Sequence, residues 1–448
     1  MLRYMPIFVA VGYYLLASLL GLYVTNDGGH VLDTVDWLVE EGVWASNRTS
    51  YPEDYSSHFL YVVMVALGKW TLPLTTLQIS YIWNAAACGL IYWVYNRFHS
   101  HIISGVALVL SGGFFLGLVS FSTPVLMAFY AVIMYTILKH PKRYRQLFTL
   151  VLLATLFRWE SLILCSGLLI CVGYQAWKDD DWKRFLLESL NFVIPFILYC
   201  LARYSYFGTI LGEDGHTPFQ GNYGFSHLWV TLFSIGLAIP LLKSPKLYYY
   251  IAVAIPASAL FWMINVVGSQ AARYYAPLVV IATILCTKKP KMAVPILITT
   301  IGIASVFSGT LVFTQVPLVK DINRGTAEVS SNLAGIPGKT NYIDIPWIYD
   351  AKSWVRDLEI AQNERMTDYD RIHGLDMVVI ACDEEWECSK ADSELTNWTL
   401  YYTQKTDCYD VWRIYVNKGR VYHDNILEAL DHPTLWESYT DLGRKASC

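Results

Sequence analysis

The sequence predicts a membrane all-α fold of about eleven transmembrane helices, followed by a small α/β domain outside the membrane. Of the 448 residues, 54% are hydrophobic and only 16% are charged, whereas a typical soluble domain is roughly 25% charged. The uncharged stretches approach the ~20 residues that a helix needs to cross hydrocarbon, where only helices and closed barrels satisfy their own backbone. Many of the 16 Trp and 32 Tyr lie near the ends of these stretches, which is typical of headgroup anchors.

Eleven apolar stretches are predicted as spans. The first has no small-residue cleavage site before Asn26, so we interpret it as a retained span rather than a signal peptide. Only Arg158, Trp159 and Glu160 separate the fifth stretch from the sixth. The predicted spans are about 5–24, 78–96, 102–120, 122–138, 147–157, 160–177, 186–204, 226–242, 247–266, 275–287 and 292–313.

Basic residues give these spans a direction, because Lys and Arg concentrate in every second loop. The positive-inside rule places those loops in the cytoplasm, with the N-terminus cytoplasmic and the C-terminus outside. Leaving out the short fifth span would break the alternation of basic and non-basic loops, and this supports the fifth span. The basic residues of the predicted cytoplasmic segments are Arg3, Arg97, Lys139, Lys142, Arg143, Arg145, Lys178, Lys183, Arg184, Lys243, Lys246, Lys288, Lys289 and Lys291.

Two domains are expected, a transmembrane domain over residues 1–313 and an outer C-terminal domain over residues 314–448. The tail is the more polar, and it mixes strand-like runs at 376–382 and 409–416 with helical stretches such as 350–365. This mixture predicts a small α/β domain. An oxidising compartment would permit disulfides among its cysteines, whose pairing the sequence leaves open. These are Cys382, Cys388, Cys408 and Cys448.

The first outer loop is long and covers residues 25–77. From Val31 onward its apolar residues share one helical stripe, which is typical of a helix lying in the membrane interface. The apolar run at 58–70 is too short to span and predicts a second half-buried segment. The stripe consists of Val31, Val35, Leu38 and Val39, and the residues expected to face elsewhere are Asp33, Asp36 and Glu40.

Asp27 stands where the first span leaves the membrane, and it allows two interpretations. An Asp before Gly-Gly and a helix is typical of an N-cap. The same carboxylate at the membrane face is a candidate catalytic group, and the two roles do not exclude each other. His30, within one helical turn, either binds phosphate or orients the carboxylate, or is an interfacial polar residue. Glu53 and Asp54 form either a second acidic site or an exposed loop pair.

Further charged residues stand at the predicted outer face of the spans. Arg158 and Glu160 form either a mutual ion pair at a corner or an arginine site for an anionic ligand, with Glu160 positioning the arginine. Arg273 lies in a very short outer loop, and His58 and Arg203 complete the candidate substrate-binding residues. Arginine binds phosphate oxygens in a bidentate way, and a carboxylate can act as general base. The set therefore suits a lipid-phosphate substrate.

Four segments resemble the GT-C class of membrane glycosyltransferases, and more narrowly the bacterial arabinofuranosyltransferases that use a decaprenyl-phosphate-type donor. They are NDGGHVLDTVDWLVEEG in the first outer loop, FRWESLIL around Arg158, RYSYFGTILGEDGHTP from Arg203, and QAARYYAPLVVI around Arg273. Together they cover most of residues 1–290 in order and spacing. Two positions depart from the family pattern: Asn26 stands in place of one acidic residue of a pair, and Trp159 in place of a proline.

The resemblance implies the GT-C fold and a transferase that moves a sugar, here D-arabinofuranose, from a polyprenyl-phosphate donor to a periplasmic acceptor. It implies Asp27 as catalytic base, Arg158 and Arg273 as ligands of the donor phosphate, and Glu160 as support of Arg158. No metal is required if arginines neutralise the leaving phosphate, although some relatives use a divalent metal. The implied acceptor is a glycan or a protein such as a type IV pilin, at the bacterial inner membrane. No nucleic-acid partner is expected.

Two rival functions are compatible with a chain of many spans. A transporter or flippase of lipid-linked substrates places ionisable groups near the bilayer midplane and often shows repeated halves. Here the charges gather at one face, and the sequence shows no internal repeat. A non-enzymatic assembly factor would leave Asp27, Arg158 and Arg273 without a joint role. The sequence therefore favours the glycosyltransferase.

Overall fold

The computed structural model shows a largely helical protein with a β-sheet in its C-terminal tail. It describes residues 4–20, 26–40, 42–44, 58–118, 122–208, 210, 225–242, 244–263, 271–286, 293–302, 340–343, 377–381, 395–405 and 410–419. The helices are α1 (Met5–Leu20), α2 (Asn26–Glu40), α3 (Phe59–Thr71), α4 (Thr76–Tyr95), α5 (His101–Leu110), α6 (Gly112–Leu118), α7 (Thr123–Lys139), α8 (Tyr144–Phe157), α9 (Glu160–Lys178), α10 (Trp182–Phe207), α11 (Phe225–Ala238), α12 (Leu247–Met263), α13 (Ala271–Leu285) and α14 (Ala293–Gly302).

Each of the eleven predicted spans overlaps a described helix or two consecutive helical pieces. Within the described residues, α9 and α10 are long and apolar enough to cross a membrane by themselves. Helices α3 and α4, which meet at a bend of 117°, would together make a third span. The apolar residues along α10 face outward, as expected of a helix surrounded by lipid. The chain is therefore a multi-pass membrane protein, and the full count of eleven crossings stays a prediction.

Local sequence explains where three important helices begin or end. Helix α4 starts after Thr75, whose side chain and that of Gln78 form a reciprocal capping box. Helix α10 ends at Gly208, whose φ of 73° lies in the left-handed region that glycine adopts without steric cost. The backbone of Arg158 is extended, with φ −153° and ψ 127°, so α8 ends at Phe157 and the chain turns before α9.

The amphipathic helix predicted in the first outer loop is present as α2, with Val31 and Val35 buried. It begins at Asn26, so Asp27 is its second residue rather than the N-cap that one interpretation predicted. Asp36, which the sequence places off the apolar stripe, is nevertheless only 4% exposed. The reason is that α3 and α4 surround its carboxylate with hydrogen-bond donors.

The tail contains a four-stranded sheet with the strand order β1-β2-β4-β3. Strands β1 and β2 are parallel, and the two pairs that involve β4 are antiparallel. The strand runs predicted at 376–382 and 409–416 are confirmed as β2 and β4. The predicted helix at 350–365 and the four tail cysteines lie outside the described residues, so the α/β class of the tail stays a prediction. The strands are β1 (Thr340–Ile343), β2 (Met377–Ala381), β3 (Trp398–Lys405) and β4 (Asp410–Asn417).

The chain forms two compact units. One comprises residues 1–22, 34–44 and 52–314, and the other comprises residues 23–33, 45–51 and 315–448. Within the first unit, α4 packs against α1 and α7. The approach of α1 to α4 is close, because a Cβ on Gly89 would stand 2.7 Å from the carbonyl oxygen of Pro6. The first unit also holds His58, Arg158, Glu160 and Arg203.

Candidate functional site

The break between α8 and α9 places Arg158 beside Glu160. Arg158 Nη2 lies 2.7 Å from Glu160 Oε1, and Nε lies 3.4 Å from Oε2, so the guanidinium holds the carboxylate at two points. Arg158 is 5% exposed. Burial strengthens the attraction between the charges and makes the loss of either partner costly. The predicted mutual ion pair is confirmed, and the binding of an anion to Arg158 stays a prediction.

His58 directly precedes α3 and is buried. Its ring meets the ring of Phe157 edge-on, with the centroids 6.5 Å apart. Its Nδ1 has no hydrogen-bond partner in the part of the chain that the structure describes. Burial, and then the positive charge of Arg158, hold the pKa of His58 well below its usual range. The imidazole is therefore neutral at pH 7, with one nitrogen able to donate and one able to accept.

Arg203 lies about one turn before the end of α10 and is 3% exposed. Its Nε donates to the carbonyl oxygen of Ile210 at 2.7 Å, just beyond the left-handed turn at Gly208. Its Nη1 donates to the hydroxyl of Tyr199 at 3.2 Å. The guanidinium carbon lies 5.3 Å from the ring centroid of Phe207, within the range of a cation–π contact.

Aromatic rings link Phe59 and Trp159, the chain neighbours of His58 and Arg158, to Arg203, and we call this region the arginine cluster. It consists of His58, Arg158, Glu160 and Arg203 together with the rings of Trp44, Phe59, Trp159, Tyr199 and Phe207. Tyr199 is central, because its ring centroid lies 4.8 Å from that of Phe59 and 6.0 Å from that of Trp159. These rings were not predicted as site residues, because Trp and Tyr near the ends of apolar stretches suit headgroup anchoring. Their proximity to charged residues in the sequence was the available signal.

A second group of charges, which we call the Asp36 junction, joins α2 to the corner between α3 and α4. The Asp36 carboxylate accepts hydrogen bonds from Lys69 Nζ and Thr76 Oγ1. Glu40 Oε1 lies 3.2 Å from the same Nζ, on a side chain that is 39% exposed. Thr76 is the first residue of α4, so the carboxylate lies at a helix N-terminus, where negative charge is favoured. Asp36 belongs to the first unit, as do its partners.

Three predicted site residues lie on described helices, but their side chains lie outside the described residues. Asp27 and His30 are in the first half of α2, and Arg273 is near the start of α13. Glu53 and Asp54 lie outside the described residues altogether. The catalytic and binding roles of these residues stay predictions. Among the described residues, no group of three or more His, Cys, Asp and Glu side chains is placed to hold a metal ion.

The fold is shared with solved structures. No protein-family model and no curated protein sequence matches the chain. The crystal structure of ArnT from Cupriavidus metallidurans bound to undecaprenyl phosphate superposes with a TM-score of 0.59 at 11% identity. It covers 92% of this chain and 97% of the ArnT chain. The apo structure of the same ArnT gives a TM-score of 0.56 over the same shares at the same identity. ArnT is a GT-C protein, so the GT-C fold implied by the resemblance is confirmed, and this chain has the fold of ArnT.

Proposed function

We propose that this protein is a GT-C membrane glycosyltransferase that moves a sugar from a polyprenyl-phosphate donor to an acceptor outside the membrane. The arginine cluster carries the proposal: it contains two buried guanidiniums, and that of Arg203 lies over an aromatic ring. In such surroundings an arginine binds a phosphate strongly, because little water screens the attraction. ArnT, which has the same fold, is seen bound to undecaprenyl phosphate.

In the proposed reaction, the lipid phosphate is the leaving group. The acceptor hydroxyl oxygen attacks the anomeric carbon, the bond from that carbon to the phosphate oxygen breaks, and its electron pair stays on the phosphate. Arg158 and Arg203, with Arg273 as predicted from the sequence, stabilise the charge that develops on the phosphate. Glu160 orients Arg158 through the two-point contact. Asp27 takes the proton of the acceptor hydroxyl as general base.

The finer assignments come from the sequence resemblance. We assign D-arabinofuranose as the sugar and a periplasmic glycan or a protein such as a pilin as the acceptor. The proposed location is the bacterial inner membrane, with a cytoplasmic N-terminus and the C-terminal domain in the periplasm. Arginines neutralise the phosphate in this scheme, so catalysis is expected to persist when divalent metals are chelated.

A transfer assay in detergent tests the function, using a radiolabelled polyprenyl-phospho-sugar and the purified full-length protein. Asp27→Asn and Arg158→Gln should each lower the transfer rate by about 100-fold or more, because each removes a group that acts in the transition state. Asp33→Asn, the same chemical change on the same helix, is the control and should retain activity.

Full activity of Asp27→Asn would exclude it as the base. Full activity of Arg158→Gln would remove the arginine cluster from the reaction. If wild-type protein in liposomes translocates the lipid-linked sugar without ever transferring it, the flippase alternative is correct instead.

A further inference from the structure

We infer that Trp44 and His58 form a subsite for the sugar of the lipid-linked donor, separate from the arginines that hold its phosphate. In this subsite, the Trp44 indole N–H donates a hydrogen bond to a sugar hydroxyl, and His58 Nδ1 bonds to another hydroxyl. The inference rests on the proposed function and specifies which side chains recognise the sugar.

Trp44 carries a buried donor that lacks a partner. The residue is 7% exposed, and its Nε1 has no hydrogen-bond partner anywhere in the described chain. Leaving such a donor unsatisfied costs the desolvation of the N–H without any return, and buried polar groups that lack a partner in native proteins call for a specific explanation. A ligand hydroxyl that arrives at this nitrogen would supply the missing acceptor.

The Trp44 ring is held in place independently of any ligand. It stacks on Phe59 with the centroids 5.2 Å apart and the planes at 19°, and it meets Phe207 edge-on at 6.4 Å. Its backbone N–H donates to the Tyr206 hydroxyl at 3.3 Å. A ring fixed on two sides keeps its N–H in one direction, which is what a specific contact requires.

His58 carries a second buried polar atom without a partner in the described part of the chain, and Phe59 links it to Trp44. It directly precedes Phe59, the residue on which Trp44 stacks, and its Nδ1 is buried without a partner in the described part of the chain. The two unsatisfied atoms therefore belong to residues joined by one phenylalanine. His58 also packs against Phe157, the residue directly before Arg158, so a ligand that places its phosphate at Arg158 brings its sugar close to His58.

The chemistry of the two atoms selects the sugar over the phosphate. An indole N–H only donates and carries no charge, and a neutral imidazole offers one donor and one acceptor. A phosphate prefers the charged guanidiniums. Hydroxyl groups both donate and accept, so they satisfy either orphan atom, and the surrounding aromatic rings suit the apolar face of a sugar ring.

Equilibrium binding to the purified full-length protein in detergent tests the subsite. The probes are tritiated polyprenyl-phospho-sugar and sugar-free polyprenyl phosphate. Trp44→Phe removes the N–H and keeps a ring, and it should weaken binding of the sugar-bearing lipid about five- to tenfold, as expected for one hydrogen bond. Binding of sugar-free polyprenyl phosphate should change less than twofold. Trp70→Phe, at a residue 58% exposed, is the matched control and should bind both lipids like wild type.

A pair of histidine variants tests the second atom. His58→Asn keeps a polar atom near the position of Nδ1 and should retain the preference for the sugar-bearing lipid, whereas His58→Leu should lose it. Equal weakening of both lipids by Trp44→Phe, or no weakening of either, overturns the subsite while leaving the proposed function intact. Failure of wild-type protein to bind either lipid contradicts both.

Discussion

The Asp36 junction and the arginine cluster both bury charged groups in the same unit of the protein, but they hold them differently. At the junction a carboxylate meets an ammonium directly and also accepts from a threonine hydroxyl. In the cluster, Arg203 donates to a carbonyl and a phenol oxygen and lies over an aromatic ring. The junction joins opposite charges, as Arg158 and Glu160 do in the cluster, and Arg203 adds contacts to neutral oxygens and to a ring.

The difference separates a structural contact from a binding site. A buried carboxylate and ammonium in contact satisfy each other, so exchanging either one for a ligand is costly. Neutral oxygens and rings hold a guanidinium less strongly, and a phosphate oxygen can replace them with a gain in energy. We therefore expect variants of the junction to change stability, and variants of Arg203 to change ligand binding.

The largest expected effect on stability is at Lys69. Lys69→Met leaves the Asp36 carboxylate buried without its ammonium, and it should lower the free energy of unfolding by about 3 kcal/mol. Thermal unfolding in detergent measures it, with Lys142→Met at an exposed lysine as control. The double variant Asp36→Asn/Lys69→Met should recover part of the loss. Unchanged stability combined with lost transfer would show that the junction takes part in catalysis.

A smaller effect should appear as a dependence of stability on pH, and it belongs to the cluster. The pKa of His58 is lowered in the folded protein. As the pH falls below about 6.5, His58 therefore becomes protonated in the unfolded chain while it is still neutral in the folded protein. His58 should therefore leave the free energy of unfolding unchanged above about pH 6.5 and lower it by up to about 1.4 kcal/mol per pH unit below that pH.

The measurement compares thermal unfolding of wild type and His58→Asn between pH 8 and pH 5. Asparagine does not titrate in this range, so the variant should lose less stability than wild type on the acid side. Above pH 7.5 the two curves should run parallel. Equal slopes across the whole range would mean that His58 titrates as freely in the folded protein as in the unfolded chain.

The contrast between the two sites also shows what the sequence could predict. Helix positions followed from apolar length, which is local. The Arg158–Glu160 pair was predictable because its members stand two residues apart at a break between apolar stretches. For Asp36, by contrast, the helical pattern predicts only a position off the apolar stripe of α2. It does not distinguish a carboxylate that packs against other helices from one that faces water.

Contacts between distant segments were outside the reach of a single sequence. The partners of Asp36 come 33 and 40 residues later, and Trp44 contacts Tyr206 across 162 residues. No periodicity links such positions, so neither the junction nor the aromatic lining of the arginine cluster could be derived. His58 and Arg203 were named as binding residues, and tertiary packing is what brings them to the rings around Tyr199.

The smallest expected effect is at Glu40, because Lys69 has one buried and one exposed acidic partner. The Glu40 side chain is 39% exposed, whereas that of Asp36 is 5% exposed. Water screens the exposed pair, so Glu40→Gln should lower the free energy of unfolding by less than about 0.5 kcal/mol. Asp36→Asn, an equivalent loss of one charge, should cost several times more because it acts on the buried partner. Thermal unfolding of the two variants, measured in parallel, tests this difference. If both variants lose the same free energy of unfolding, burial does not distinguish the two carboxylates, and the junction contributes no more than a surface ion pair.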